Sequence, residues 1–132
     1  MGTWSTGVFE NDDALDWLQE LSDTSSIFVL NVTLQEAKAE YLEAPAGARI
    51  LGACELIAAV MSEPAAGLPD AARDWVRHQS AADVATMIPS ALGAVDRVLG
   101  EGSELNELWR ENESEYAAWR QCLLDLKTRL AS

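Results

Sequence analysis

Apolar residues recur at helical spacing along most of this chain, and this periodicity constrains its fold more than any other feature. In the closing segment, steps of three and four residues separate Tyr116, Trp119, Leu123, Leu126 and Leu130. Such a stripe lies on one face of an α-helix. Residues 48–62 are apolar on most sides, which predicts a central buried helix. A chain of this kind folds by packing helices against one another.

Glycine and proline residues divide the chain into further helical segments. The first helix is predicted to begin after Asn11, a favourable N-cap residue. Pro45 and Gly47 are predicted to break the chain before the central helix. Pro89 is predicted to kink or split a helix that covers residues 83–99.

Residues 27–34 fit both a strand and a helix, because their apolar residues alternate and also recur at three- and four-residue steps. No other segment has the pattern of a strand, and a lone strand leaves its backbone groups unpaired. A helix is therefore predicted from about residue 25 to residue 42. The predicted fold is all-α, a single compact domain over residues 1–132 with six or seven helices in an orthogonal or bundle-like array.

The charge distribution limits the classes of partner. The chain has 22 acidic and 9 basic residues, a formal net charge of −13. Residues 1–44 hold nine of the acidic residues and one basic residue, Lys38. This balance argues against a nucleic-acid function, because phosphate binding needs lysine and arginine. An acidic N-terminal third fits a basic protein partner or a cation.

Composition also predicts the compartment. No apolar run approaches the ~20 residues that span a bilayer, and no basic segment followed by an apolar one opens the chain. Cys54 and Cys122 lie far apart within apolar helical patterns, which favours buried, reduced thiols. The alanine-rich, lysine-poor composition is typical of a high-GC bacterium. We therefore expect a cytoplasmic bacterial protein that is not bound to a membrane.

Several segments resemble one known family. They are Met1-Gly2-Thr3-Trp4, Phe9-Glu10-Asn11-Asp12-Asp13-Ala14, Asp16-Trp17, Tyr41-Leu42-Glu43-Ala44 and Ser103-Glu104-Leu105 with Leu108-Trp109. In this order they are similar to the bacterial domain of unknown function family 4259, over nearly the whole chain. Ser5 departs from the pattern, since the family more often has glycine there. The resemblance implies a small, standalone helical protein, and it brings no activity or catalytic residues.

Residues 1–11 are predicted to form an ordered, aromatic N-terminal loop. Trp4 and Phe9 either pack onto the core and fix the chain end, or contribute to a groove in which Trp4 anchors a partner. Only the second interpretation makes this loop part of the candidate site.

Carboxylates cluster where the first helix begins. They are Glu10, Asp12, Asp13, Asp16 and Glu20. Asp12, Asp16 and Glu20 are four residues apart and so share one helix face. Carboxylate oxygens suit hard divalent cations, but neither an EF-hand spacing nor the Glu-x-x-His pair of helical di-metal proteins is present. Helix capping with a solvated face, a metal site and a protein-binding surface are the three interpretations.

A second acidic segment begins at Ser103, a predicted N-cap that is followed by Glu104 in the first helical turn. Trp109 is predicted to pack inward. If this helix lies beside the first one, Glu104 and the first cluster line one polar cleft.

Catalytic and cofactor motifs are not found in the sequence. His78 is the single histidine and is predicted to lie on the surface or at a helix end. No nucleophile elbow or phosphate-binding loop is present. No cofactor is predicted.

The sequence favours a non-enzymatic protein-binding or regulatory module whose acidic N-terminal surface engages an unidentified basic protein. A cognate inhibitor of the immunity type fits this description. The candidate surface comprises Trp4, Phe9, Glu10, Asn11, Asp12, Asp13, Asp16, Glu104 and Trp109. The alternative is a metal-binding protein or an enzyme that uses the carboxylate cluster at the start of the first helix. A third interpretation is a homo-oligomer built on the stripe of the closing helix.

Overall fold

The computed structural model describes residues 12–24, 27–62 and 68–131, and these ranges form eight α-helices, one 3-10 turn and no strand. The helices are α1 (Asp12–Thr24), α2 (Phe28–Gln35), α3 (Ala44–Met61), α4 (Asp70–Arg77), α5 (Ala81–Ala85), α6 (Ile88–Leu99), α7 (Glu104–Arg110) and α8 (Glu113–Ala131). The predicted all-α class is confirmed. The number of helices exceeds the predicted six or seven because the helix predicted over 83–99 is two helices, α5 and α6.

α3 is the centre of the fold, and it contacts each of the other seven described helices. The side chains of Ile50, Leu56 and Ile57 are completely buried. By length and composition α3 could also cross a membrane, but 67% of this stretch is buried inside the fold. Core helices of soluble proteins have the same property, and the uniform apolar character of α3 is explained by its burial on all sides.

Two prolines lie close to the N-terminal ends of helices. Pro45 lies in the first turn of α3 and Pro89 in the first turn of α6, where the missing N–H removes no intrahelical hydrogen bond. The predicted break at Pro45 and Gly47 is therefore wrong, and both residues lie within α3. A Cβ atom at Gly47 would be 2.9 Å from Leu105 Cδ1. Glycine at this position thus permits the close approach of α3 and α7.

α2 confirms the helical interpretation of its segment but ends at Gln35, well before residue 42. A 3-10 turn follows, and the backbone then extends. The Leu42 N–H donates to the Gly102 carbonyl at 2.8 Å, and the Leu42 carbonyl accepts from the Glu104 N–H at 2.8 Å. These bonds give the extended backbone its partners. They join residues about sixty positions apart in the sequence. A pairing over this distance cannot be predicted from helical periodicity, which is a local pattern.

Arg97 of α6 ties the same two segments together. Its Nη2 atom donates to the carbonyls of Ala39 (3.0 Å), Glu40 (3.1 Å) and Gly102 (3.2 Å). Its Nη1 atom donates to the Glu101 carbonyl at 2.9 Å. Gly102 has a φ of +75°, a conformation that glycine adopts without steric cost. One guanidinium group thereby fixes the loop before α3 against the loop before α7.

Candidate functional site

α1 exposes all of its carboxylates to solvent. They belong to Asp12, Asp13, Asp16, Glu20 and Asp23, and together they form what we term the acidic face of α1. The helix has no basic residue. None of the five carboxylates forms an ion pair with a described residue. The structure therefore places three of the candidate residues, Asp12, Asp13 and Asp16, on one exposed and strongly negative helix surface.

The opposite side of α1 is apolar and anchors the helix. Ala14, Trp17, Leu18 and Leu21 are buried, and the main contacts of α1 are with α3 and α4. The Trp17 Nε1 atom also donates to Thr33 Oγ1 of α2 at 2.8 Å. This buried hydrogen bond links α1 to α2, and the buried apolar side of α1 leaves the acidic face directed away from the core.

Arg49 of α3 is a cation close to the acidic face. Its guanidinium group donates to both carboxylate oxygens of Glu36, at 2.7 and 3.2 Å. The hydrogen bond with Glu36 raises the pKa of Arg49, and the nearby charges of Asp13 and Glu20 raise it further. Arg49 already makes a bidentate contact with Glu36, and it therefore neutralises the charge of the acidic face only in part.

Glu104 lies at the start of α7 and caps another helix, α3. Its Oε1 atom accepts from the Ala44 N–H at 2.7 Å, and so satisfies one of the unpaired donors at the start of α3. The main contacts of α7 are with α3, α6 and α8, whereas α1 packs on α3 and α4. Glu104 and the acidic face belong to different helix pairs, and the structure gives no support to one shared polar cleft.

We expect Glu104→Ala to lower the free energy of unfolding by about 1 kcal/mol, the usual cost of losing a helix N-terminal cap. Glu104→Gln keeps an oxygen acceptor and should lose less. Urea unfolding measures both values. Glu111→Ala, which changes an exposed acid just after α7, serves as the control. Equal losses for Glu104→Ala and Glu111→Ala would contradict the capping role.

Trp109 lies in the core, with 7% of its surface exposed. Its ring stacks on Trp119 of α8 with centroids 5.8 Å apart and planes 10° apart. Trp119 in turn stacks on Tyr116, with centroids 6.1 Å apart. The predicted inward packing is confirmed. Trp109 therefore joins α7 to α8, and its ring is not presented to a partner in this conformation.

The remaining candidate residues lie outside the described ranges. They are Trp4, Phe9, Glu10 and Asn11. The aromatic loop predicted over residues 1–11 lies there too, and it stays a prediction.

The described residues do not assemble a metal site or an activated thiol. Over these ranges, no group of three or more His, Cys, Asp and Glu side chains is placed to hold a metal ion. Cys54 is fully buried, and burial raises its pKa far above the usual range, which disfavours a reactive thiolate. Cys122 is a free thiol that is half-buried rather than buried. His78 is exposed, as predicted, with Nδ1 2.8 Å from the Asp74 carbonyl oxygen.

A buried ion pair between α3 and α8 was not predicted from the sequence. Arg129 donates to both oxygens of Glu55, at 2.8 and 2.9 Å, and Glu55 is only 4% exposed. One signal for this pair was present in the sequence. Glu55 is an isolated acid in the apolar segment that was predicted to form the central buried helix, and a buried carboxylate needs a cationic partner. The pair fixes α8 against the central helix.

Fold and surface together define a small all-helical protein with one strongly acidic helix face. The family model described as Domain of unknown function (DUF4259) matches residues 2–122, and the chain belongs to this family. The resemblance predicted from the N-terminal and Ser103–Trp109 segments is confirmed. No curated protein and no solved structure matches the chain. Family membership assigns no activity and leaves the function to be inferred from the surface.

Proposed function

We propose that this protein is a non-enzymatic binding module that engages a basic protein partner through the acidic face of α1. The observation that carries the proposal is the concentration of five exposed carboxylates on a helix without a basic residue. Acidic surfaces of this kind accelerate encounter with basic partners and help select them. A cognate inhibitor of the immunity type and a regulator are both forms of such a module.

Part of the arrangement of charges on α1 is unfavourable for the isolated helix. Asp12 and Asp16, and also Asp16 and Glu20, are like-charged neighbours four residues apart, each pair costing about 0.2–0.5 kcal/mol. Asp23 lies in the last turn, where the helix dipole disfavours an anion. The helix dipole favours Asp12 and Asp13 in the first turn, but local stability does not explain Asp16, Glu20 and Asp23. A partner that supplies lysine and arginine would relieve the repulsion, and this supports a binding role.

The proposal places the protein in the bacterial cytoplasm. The burial of most of α3 within the fold supports a soluble protein. Cys54 and Cys122 are both free thiols, as is common in a reducing compartment.

Affinity capture from a lysate of the native host tests the proposal with three baits. They are the wild type, an Asp12→Asn/Asp16→Asn variant, and a matched Glu113→Gln/Glu115→Gln control that removes the same charge from the exposed first turn of α8. Thermal unfolding checks that all three are folded. We expect a partner whose recovery falls at least about tenfold with the first variant and is unchanged with the control.

Equal recovery of the same proteins with all three baits would contradict the proposal. A specific partner that is lost equally with both variants would also contradict it, because net charge alone would then explain binding.

A further inference from the structure

Two arginines near the junction of α7 and α8, Arg110 and Arg120, are not neutralised by any described carboxylate. Four other basic side chains each form an ion pair with an acid, and they are Arg49, Arg77, Lys127 and Arg129. Over the described ranges, neither Arg110 nor Arg120 lies within ion-pair distance of an acidic side chain. Arg110 is exposed and Arg120 is half-buried, so solvent reaches both. In a chain with 22 acidic residues, two such cations leave room for an external anion.

The hydroxyl group of Tyr116 is the point at which the two arginines meet. Arg120 of α8 donates from Nη1 to the Tyr116 oxygen at 3.4 Å, and its guanidinium carbon lies 5.8 Å from the centre of the Tyr116 ring. Burial raises the pKa of Tyr116, but hydrogen bonds and positive charge from Arg120 and Arg110 outweigh burial, and the pKa is lowered overall. Both guanidinium groups therefore act on one hydroxyl group.

Asn106 of α7 holds this hydroxyl group in place. Tyr116 donates to Asn106 Oδ1 at 2.6 Å, and Asn106 Nδ2 donates to the Gly100 carbonyl at 3.3 Å. Only 3% of the surface of Asn106 is exposed. Because the hydroxyl proton is directed to Asn106, the lone pairs of the Tyr116 oxygen remain available to arginine. Arg110 lies four residues after Asn106, one turn further along the same face of α7.

Stacked rings fix the two helices that carry the arginines. Trp109 of α7 stacks on Trp119 of α8, and Trp119 stacks on Tyr116. Trp109 and Trp119 are both buried. Arg110 and Arg120 therefore extend from a rigid junction, as a preorganised binding site requires.

The geometry points to a site for a phosphate dianion, formed by the guanidinium groups of Arg110 and Arg120 around the Tyr116 hydroxyl group. The ligand is free phosphate or the terminal group of a small phosphate monoester. Guanidinium groups match the oxygens of phosphate in geometry, and two of them balance the charge of about −1.5 to −2 that a monoester carries at pH 7. A long polyanion is disfavoured, because the chain has a net charge of −13 and would repel it.

This site goes beyond the proposed function, because it lies on α7 and α8 and uses no residue of the acidic face of α1. Its ligand is an anion, whereas the acidic face is proposed to bind a basic protein. Loss of either site would leave the other intact.

Titration of the full chain with inorganic phosphate, methyl phosphate and acetate tests the inference at constant ionic strength. Nuclear magnetic resonance measures each dissociation constant. We expect a value of about 1 mM for phosphate and binding of acetate that is at least about tenfold weaker. Tighter binding of methyl phosphate than of phosphate identifies an organic monoester as the ligand, and the reverse identifies the free ion. No saturable phosphate binding below about 10 mM would overturn the inference.

Two double variants locate the binding. Arg110→Gln/Arg120→Gln should weaken phosphate binding at least about tenfold. The matched control is Arg73→Gln/Arg77→Gln, which removes the same charge from two exposed arginines of α4 and should leave the affinity unchanged. Thermal unfolding checks that both variants are folded. Equal affinities of the two variants for phosphate would refute the site.

Ionisation of Tyr116 provides a second readout at the site itself. The pKa of Tyr116 is lowered, whereas the hydrogen bond with Glu107 raises the pKa of Tyr41 to about 12. Of the two tyrosines in the chain, Tyr116 thus ionises first as the pH rises, and ultraviolet absorbance of the phenolate follows it. Bound phosphate should raise the pKa of Tyr116, because it offsets the charge of the arginines. A pKa that saturating phosphate leaves unchanged would contradict the inference.

Discussion

Replacing Trp109 with alanine is expected to lower the free energy of unfolding by about 3–5 kcal/mol, the usual range for a buried tryptophan. Only 7% of the surface of Trp109 is exposed. Its loss leaves a cavity between α7 and α8 and also removes the stacking contact with Trp119, which contributes beyond its buried area. Urea unfolding followed by circular dichroism measures the change.

Leu108→Ala is the matched control for this prediction. Leu108 precedes Trp109 on the same helix and is 49% exposed, so its truncation should change the free energy of unfolding by no more than about 0.5 kcal/mol. If Trp109→Ala is as stable as Leu108→Ala, the ring does not hold α7 on α8. The assignment of Trp109 to the core would then be wrong, and a role at a partner surface would be open again.

Replacing Arg129 with methionine is expected to destabilise the protein by about 3 kcal/mol. Arg129 forms two hydrogen bonds with Glu55, which is 4% exposed in the centre of the fold. The variant leaves this carboxylate buried without a cation, and such a charge costs far more than the pair contributes. The midpoint and slope of the urea unfolding curve give the loss in free energy of unfolding. An unchanged slope indicates that the folded state keeps its compactness.

A second substitution distinguishes the unpaired charge from lost packing. Glu55→Leu/Arg129→Met removes both charges and should recover most of the stability lost in Arg129→Met, because an apolar pair of similar volume replaces a buried ion pair at little cost. Arg77→Met removes the partner of Asp74, whose side chain is 63% exposed, and should leave stability nearly unchanged. A double variant that is no more stable than Arg129→Met would contradict the account of a buried, unpaired carboxylate.

The sequence predicts helices in this chain where the apolar pattern reflects burial. α3 and α8 were predicted correctly because their apolar residues recur at the period of the helix that buries them. Pro45 was misjudged, since proline is compatible with the first turn of a helix as well as with a break. The split predicted at Pro89 is confirmed, because α5 ends at Ala85 and Pro89 lies in the first turn of α6. The end of α2 also escaped prediction. It depends on hydrogen bonds between Leu42 and residues of the loop before α7, and local pattern holds no information about that contact.

Exposure of the acidic residues of α1 could be predicted, but the partners of individual charges could not. Asp12 and Asp16 lie opposite the apolar stripe of α1, which is a local property. Glu104 bonds with Ala44, 60 residues away, and Glu55 bonds with Arg129, 74 residues away. Only the packing of the helices brings these groups together, and it changed the interpretation of Glu104 from a surface acid to a helix cap.

The central claim is that the acidic face of α1 binds a basic protein partner. Its most direct test is the recovery of captured proteins with the Asp12→Asn/Asp16→Asn bait relative to the Glu113→Gln/Glu115→Gln bait. The account predicts a partner that is retained by the wild type and by the α8 control and is lost with the α1 variant. The same set of proteins at equal recovery with both variants would contradict it.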